Sequence, residues 1–435
     1  MDKNLNQYFT QFSWPTLWQK NGHSPFFNGK TYTEVFQQAM QLTGDFGGQK
    51  SPYILLKNSD PLDTIIKILS LWRSKKVPVL VANGVTPHEQ QSLSEVCPYH
   101  EIIFSKGAGT PFSAFQKDAE ALVVFTSGTT GVAKGVVHTF KSLFASALGS
   151  IQFYQIAQRD RWCLNLPLHH MAGFMIFMRC LLANAEITDQ LENSHYISLV
   201  PTQLQRLLQS QKYHSALKRQ KFILIGGAPL EQKTLEQAQQ LQLNISQTYG
   251  MTESASHIWS TCAQSPDGCI LPYRKLIIDE QGEILIAGET LFKGYFRHRQ
   301  FHPAPLQNGY FKTADRGEFI ANRLHIKGRR DNIFISGGEN ISPREVIAVA
   351  LKFPQICDAY LIPMPHQSYG QIGVLFYAST TYIDPALLKT YFQENLSGFK
   401  IPKYFFPLDD LVESEQMKRS QRDLTALARQ KLKLH

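Results

Sequence analysis

A chain of 435 residues, 43% hydrophobic and 18% charged, has the length for two or three domains and the balance of a globular protein, which excludes wholesale disorder and fibrous architectures. Lys+Arg 44 against Asp+Glu 35 leaves a net charge of +9 with no run of five basic residues, so the concentrated stripe of a nucleic-acid binder is missing and no nucleic-acid partner is expected. Six scattered cysteines (Cys97, Cys163, Cys180, Cys262, Cys269, Cys357) form no C-x-x-C pair, which fits a reducing, cytoplasmic setting better than a disulfide framework.

In chain order, the N-terminus is polar and aromatic, without the apolar core of a signal peptide. Ser51–Leu56 and Val77–Val81 read as strands flanking a helix that contains Ile65–Trp72. Ala121–Phe125 reads as a buried strand feeding a Ser/Thr/Gly loop, with a helical pattern from Thr139. Met171–Ala185 is the most apolar stretch, but at 15 residues with Arg179 inside it is too short and too charged to cross a bilayer, so no membrane insertion is expected. Tyr196–Val200 predicts a strand and Pro201 opens a helix to about Lys212. Phe222–Ile225, a Gly-Gly turn, a Gln/Leu-rich helix and a strand at Asn244–Thr248 repeat the cycle. This alternation predicts a large α/β domain of mostly parallel sheets covered by helices. After about residue 328 the pattern changes. Ser342-Pro343-Arg344-Glu345 has the form of a capping box opening a helix to about Leu351. Apolar segments at Ala359–Pro363 and Gly373–Ala378, a helix from Asp384 to Asn395 and a last apolar stretch at Tyr404–Leu411 complete a small α+β unit. The expected domains are 1–330 and 331–435, joined by a hinge.

The most informative segment is Phe125-Thr126-Ser127-Gly128-Thr129-Thr130-Gly131-Val132-Ala133-Lys134-Gly135. Its glycines let the backbone turn tightly and bring N–H groups close to a ligand. Its hydroxyls add donors, and Lys134 supplies a point charge for phosphate oxygens. A strand before it and a helix after it give the setting of an anion site, although GxxxxGK[ST] is absent. The bland alternative is a small-residue loop that happens to end in lysine.

This segment resembles the signature of the adenylate-forming (AMP-binding) superfamily: acyl-CoA and aryl-CoA synthetases, peptide-synthetase adenylation domains and luciferases. Further segments follow in that family's order. Tyr249-Gly250-Met251-Thr252-Glu253 resembles its YGxTE, and Phe311-Lys312-Thr313-Ala314-Asp315 its TGD segment, with Ala314 in the glycine's place. Gly328-Arg329-Arg330-Asp331 and Ser336-Gly337-Gly338-Glu339-Asn340 resemble its hinge and the glycine-rich segment after it. The resemblance implies that a carboxylate is joined to the α-phosphorus of ATP, expelling pyrophosphate, and that the acyl group then passes to coenzyme A. It implies that Thr126, Ser127, Gly128, Thr129, Thr130, Gly131 and Lys134 hold the terminal phosphates, with Tyr249 and Gly250 also in the nucleotide-binding set. Thr252 would donate to the α-phosphate and Glu253 would bind Mg²⁺, without which a carboxylate beside a triphosphate would be repelled. Asp315 would accept both ribose hydroxyls with Arg329 nearby, and Gly226-Gly227-Ala228-Pro229 would form the adenine-side turn. Lys418, in Met417-Lys418-Arg419-Ser420-Gln421-Arg422-Asp423-Leu424, resembles the C-terminal lysine that bridges the substrate carboxylate and the α-phosphate, with Met417 where glycine is usual. Lys400 and Lys403 are the alternatives. Asp331 falls at the hinge, and Gly337 and Gly338 beside the pantetheine route.

For the acid, Asn165-Leu166-Pro167-Leu168-His169-His170-Met171-Ala172-Gly173 resembles the family's PLxHxxG stretch, in which the final histidine, here His170, walls the acyl site. Arg179 lies nine residues on, in an otherwise apolar segment. An unpaired buried guanidinium is costly, so it is expected either to reach solvent or to meet an anion. Together with Ser198-Leu199-Val200-Pro201-Thr202-Gln203-Leu204, which adds Thr202 and Gln203 as substrate candidates, this combination resembles the o-succinylbenzoate–CoA ligases of menaquinone biosynthesis. It implies an aromatic dicarboxylate, one carboxylate activated and the other anchored by Arg179. The other readings are a different aryl- or acyl-CoA ligase, an adenylation enzyme loading a carrier protein, and a non-catalytic nucleotide-binding protein. The sequence leaves the oligomeric state, a homodimer included, open.

Overall fold

The strand–helix alternation becomes a stack of sheets. The computed structural model describes residues 2–15, 17, 22–44, 51–85, 87–107, 112, 116–127, 133–228, 230–262, 265–329, 334–336, 339–366, 368–379, 381–396, 398–408 and 421–433. Among these, a nine-stranded sheet runs in the order Ser265–Ile270, Ser256–Cys262, Ile245–Met251, Phe222–Ile225, Tyr196–Leu199, Arg161–Cys163, Glu186–Thr188, Pro25–Phe27, Lys30–Thr31. It is parallel from Ile245–Met251 to Pro25–Phe27 and antiparallel at both ends. A six-stranded sheet runs Gln300–Pro303, Gly294–Arg297, Ala133–Thr139, Glu120–Ser127, Val77–Ala82, Tyr53–Asn58, parallel only across its last three strands. An antiparallel third sheet joins Arg274–Ile278, Glu283–Gly288, Tyr310–Ile320 and Leu306–Gln307, with Arg323–Arg329 also paired to Tyr310–Ile320.

Helix Met171–Ala183 accounts for the most apolar stretch of the sequence. It is buried on nearly every side, packed on helix Phe140–Tyr154 and on the nine-stranded sheet. A helix apolar all round belongs in a core. Helix Pro61–Arg73 begins where Asp60 accepts the Asp63 N–H and Pro61 needs no donor. No helix among the described residues is long and apolar enough to cross a membrane, and all six cysteines are free.

The smaller unit follows. Its sheet orders Glu339–Ile341, Phe334–Ser336, Gly370–Ser379 and Ile356–His366, with Tyr404–Pro407 parallel to Gly370–Ser379. Its core clusters run from Phe334 to Ala428 and share no buried residue with those of the larger unit, which run from Leu5 to Leu324. A large α/β unit with a small α+β unit is therefore the fold.

Four local expectations are revised. Glu120–Ser127 and Ala133–Thr139 pair as the two strands of a hairpin, and helix Phe140–Tyr154 begins only after the second, so the helix does not follow the Ser/Thr/Gly segment directly. The strand predicted over Asn244–Thr248 continues to Met251 because Thr248–Met251 pair with Ser256–Ser260. The helix from Pro201 ends at Gln209, where Ser210 turns extended, and a second helix runs Gln211–Lys218. Ser342 does stand before helix Pro343–Ala350, but its side chain makes no cap bond, and Glu345 pairs instead with Lys400 at 2.6 Å.

Candidate active site

Gly128, Thr129, Thr130 and Gly131, with the side chain of Ser127, lie outside the described residues, as do Pro229, Asp331, Gly337, Gly338 and Lys418. Thr126 and Lys134 flank the loop as cross-strand partners. Side chains alternate along a strand, so Lys134, Val136 and His138 share one face. Lys134 Nζ stands 4.9 Å from the centre of the Tyr295 ring. Tyr295 belongs to the adjoining strand, pairs with Val136, and donates its hydroxyl to Glu253 Oε1 at 2.7 Å. Glu253 is 7% exposed and sits in the one-turn helix Thr252–Ser254. Burial and the carboxylate together hold the Tyr295 hydroxyl well above the usual phenol range, so it stays a donor.

That turn is held through its carbonyls. His138 Nε2 donates to the Thr252 carbonyl at 2.8 Å, the Phe292 N–H to that of Glu253 at 2.9 Å, and the Ser146 hydroxyl to that of Ala255. A carbonyl only accepts, so Nε2 carries the imidazole proton, while Nδ1 faces Ser142 Oγ at 3.0 Å. Full burial pushes the His138 pKa down to about 4, keeping the ring neutral. Because this lies below the value near 6.5 of an unfolded histidine, the linked stability is whole above about pH 6.5 and is lost as pH falls toward 4, about 3 kcal/mol in all. Buried His257, also held down mainly by desolvation, acts in the same direction. Urea unfolding should thus show stability dropping between pH 7 and 4.5, with a shallower drop in His138→Gln. The same slope in that variant would clear His138 as the source.

A second cluster lies at the other end of the Tyr249–Glu253 segment. Tyr249 donates to Asp315 Oδ2 at 2.7 Å, and Arg329 Nη1 to Asp315 Oδ1 at 3.3 Å and the Thr313 carbonyl at 3.1 Å. Burial, then Asp315, pushes the Tyr249 hydroxyl far above its usual range. The pairing of Tyr249 and Gly250 with Ser256–Trp259 is bulged, and a Cβ on Gly250 would stand 2.2 Å from the Ser256 carbonyl oxygen, so only glycine fits. Ala314 sits at φ +62, with its N–H donating to Glu283 Oε1 at 3.0 Å. A left-handed alanine costs about 1 kcal/mol, which explains why glycine is usual in that segment. Gly226, Gly227 (φ +82) and Ala228 form the turn after Phe222–Ile225, the latter two exposed.

Of the acid-site candidates, His170 is exposed and precedes helix Met171–Ala183, its ring 4.3 Å from that of His169. Burial, then His170, pushes His169 down to about 4. Thr202 is exposed, while Gln203 Oε1 accepts the Val200 N–H at 3.1 Å, a capping contact at the start of its own helix. Arg179 does not reach solvent, and among the described residues no carboxylate pairs with it. It is 1% exposed, its Nη2 lies 3.0 Å from Ser256 Oγ and 3.3 Å from His257 Nδ1, and its guanidinium lies 5.1 Å from the Trp162 ring centre. Among the described residues only neutral groups receive it and its Nε has no hydrogen-bond partner, and burial draws its pKa down to about 10.

Sequence reading missed Tyr295 and His138. His138 shares the two-residue period of Lys134, a signal that was present; Tyr295 carries no local signal at all. For Mg²⁺, no group of three or more His, Cys, Asp or Glu could enclose a metal among the described residues. The expected donor, Glu253, is a single buried carboxylate, which would suit a cation that keeps its waters and takes other ligands from phosphate.

The chain matches the family model described as AMP-binding enzyme over residues 53–296, more than half its length. It is 34% identical over 328 residues to the 2-succinylbenzoate--CoA ligase of Staphylococcus aureus (strain bovine RF122 / ET3-1), covering 69% of this chain but only 65% of that relative's length. Over 436 residues it is 28% identical to the protein of the same name from Listeria monocytogenes serotype 4b (strain F2365), covering 89% and 92% of the two chains. A single-residue variant of E. coli MenE with bound OSB-AMS has the same fold, with a TM-score of 0.82 at 26% identity over 96% of this chain and 98% of that one.

Proposed function

The chain belongs to the AMP-binding enzyme family, and from that premise we propose that it is an ATP-dependent acid–CoA ligase acting on o-succinylbenzoate. The observation that carries the reading is the pair of tyrosine-held carboxylates at the two ends of one motif strand and turn, Asp315 beside Tyr249 and Glu253 beside Tyr295, with Lys134 against the second. A nucleotide needs an acceptor for its ribose hydroxyls at one end and cationic help for its phosphates at the other.

In the first half-reaction a substrate carboxylate oxygen attacks the α-phosphorus of ATP, the bond to the bridging oxygen breaks, and pyrophosphate leaves. Asp315, paired with Arg329, accepts the ribose hydroxyls. Lys134 and the loop hydroxyls bind the terminal phosphates, Thr252 donates to the α-phosphate, and Lys418 bridges the two reacting anions. Mg²⁺ at Glu253 supplies charge neutralisation of the triphosphate when bound. In the second half-reaction the CoA thiol attacks the acyl-adenylate carbonyl and AMP leaves. The reading assigns residues 331–435 to a mobile domain turning about Asp331, with Gly337 and Gly338 beside the thiol's route. His170 walls the acyl site, with Thr202 and Gln203 nearby. Arg179, a buried cation among neutral partners, receives the second carboxylate. The names of the bacterial relatives support this choice of acid.

The test is AMP release from ATP and Mg²⁺ with o-succinylbenzoate, with and without CoA, beside benzoic, cinnamic and fatty acids. CoA-dependent turnover confined to o-succinylbenzoate is the expected result. Turnover with another acid overturns the substrate but keeps the ligase. Silence across the panel overturns the ligase.

A further inference from the structure

Resting on that reading of Glu253 and Lys134, we propose that Tyr295 is a positioning residue that sets both the metal-binding carboxylate and the phosphate-binding amine. Its hydroxyl engages Glu253 Oε1 at 2.7 Å, and no hydrogen bond to Oε2 is recorded among the described residues, so one carboxylate oxygen is held and the other is presented. The ring of the same side chain has Lys134 Nζ at 4.9 Å and the Arg297 guanidinium at 5.2 Å from its centre. The negative face of an aromatic ring attracts cations, so the ring orients Lys134 while the hydroxyl orients Glu253.

The mounting is stiff. Tyr295 is 4% exposed, lies 4.6 Å from the Phe292 ring, and is paired in register with Val136 on one side and His302 on the other. Phe292, three residues earlier, donates its N–H to the Glu253 carbonyl. Segment 292–295 therefore grips the Glu253 backbone and side chain together. A tyrosine on an inner strand is ordinarily core filling, which phenylalanine would do equally well. The hydroxyl, buried against a carboxylate, is what core filling does not require.

The two roles separate by substitution. Tyr295→Phe keeps the ring and removes the hydroxyl; Tyr295→Leu removes both. ATP affinity is measured by titration calorimetry with Mg²⁺ and again in EDTA, with thermal midpoints alongside. For Tyr295→Phe the expectation is an ATP Kd raised about tenfold with Mg²⁺, a metal-free Kd within about twofold of wild type and an unchanged midpoint. For Tyr295→Leu, affinity falls in EDTA as well. Wild-type Mg²⁺-dependent affinity in Tyr295→Phe overturns the proposal, and that variant suffices even where the leucine variant folds poorly. Glu253→Gln keeps the two failures apart. Should it leave the Mg²⁺ dependence unchanged, the reading of Glu253 itself is overturned; should it abolish the dependence while Tyr295→Phe does nothing, only the role of Tyr295 falls.

Discussion

Lys418→Ala is expected to slow acyl-adenylate formation from ATP and acid by on the order of 10²–10³-fold, while thioester formation from supplied acyl-adenylate continues at the wild-type rate. The first half-reaction brings two anions together, and a lysine point charge between carboxylate and α-phosphate stabilises what otherwise repels. The second attacks a carbonyl after pyrophosphate has gone, and needs no such bridge. Pyrophosphate release and CoA consumption with synthetic adenylate measure the halves separately. If both survive the substitution, the lysine is wrongly assigned. Lys400, held by Glu345 at 2.6 Å, and Lys403, with its amine 4.7 Å from the centre of the Tyr369 ring, are then the residues to change.

Arg179→Met is expected to raise the KM for o-succinylbenzoate roughly 10–100-fold, leave the KM for ATP within about twofold, and keep or raise the thermal midpoint. A fully buried guanidinium whose partners among the described residues are a hydroxyl, an imidazole and an indole ring has no countercharge there of the kind that makes such burial tolerable. Methionine fills much of the same volume without the charge, so the fold has little to lose. The acid loses its anchor. Steady-state kinetics with both substrates and a melting curve decide it: a higher midpoint with an unmoved acid KM would make Arg179 a core residue only.

The motif segments were legible because their chemistry is local. Three glycines, hydroxyls and a lysine within a few residues form the pattern expected of an anion site before any partner is known. The hairpin was not, although the alternation of Lys134, Val136 and His138 encodes it, because the helix from Phe140 dominates the pattern downstream. Arg179 was flagged as costly, but its neutral reception depends on Ser256 and His257, placed by the folding of a distant antiparallel strand. Tyr295 was invisible for the same reason: it gains meaning only when its strand settles against Val136. The capping-box pattern at Ser342 is not realised: its side chain makes no cap bond, and Glu345 pairs with Lys400.

Strand Ala133–Thr139 is covered on one side only by Gly294–Arg297, which the ribosome makes much later. At ~5–20 residues per second, the apolar edge at Val136–Val137 waits about 8–30 s after synthesis before its partner exists. During that interval the nascent chain displays an unpaired β edge, the surface through which incomplete sheets join one another. Chaperone demand and aggregation on overproduction should accordingly peak for chains stopped just short of residue 294 and ease once the strand has emerged.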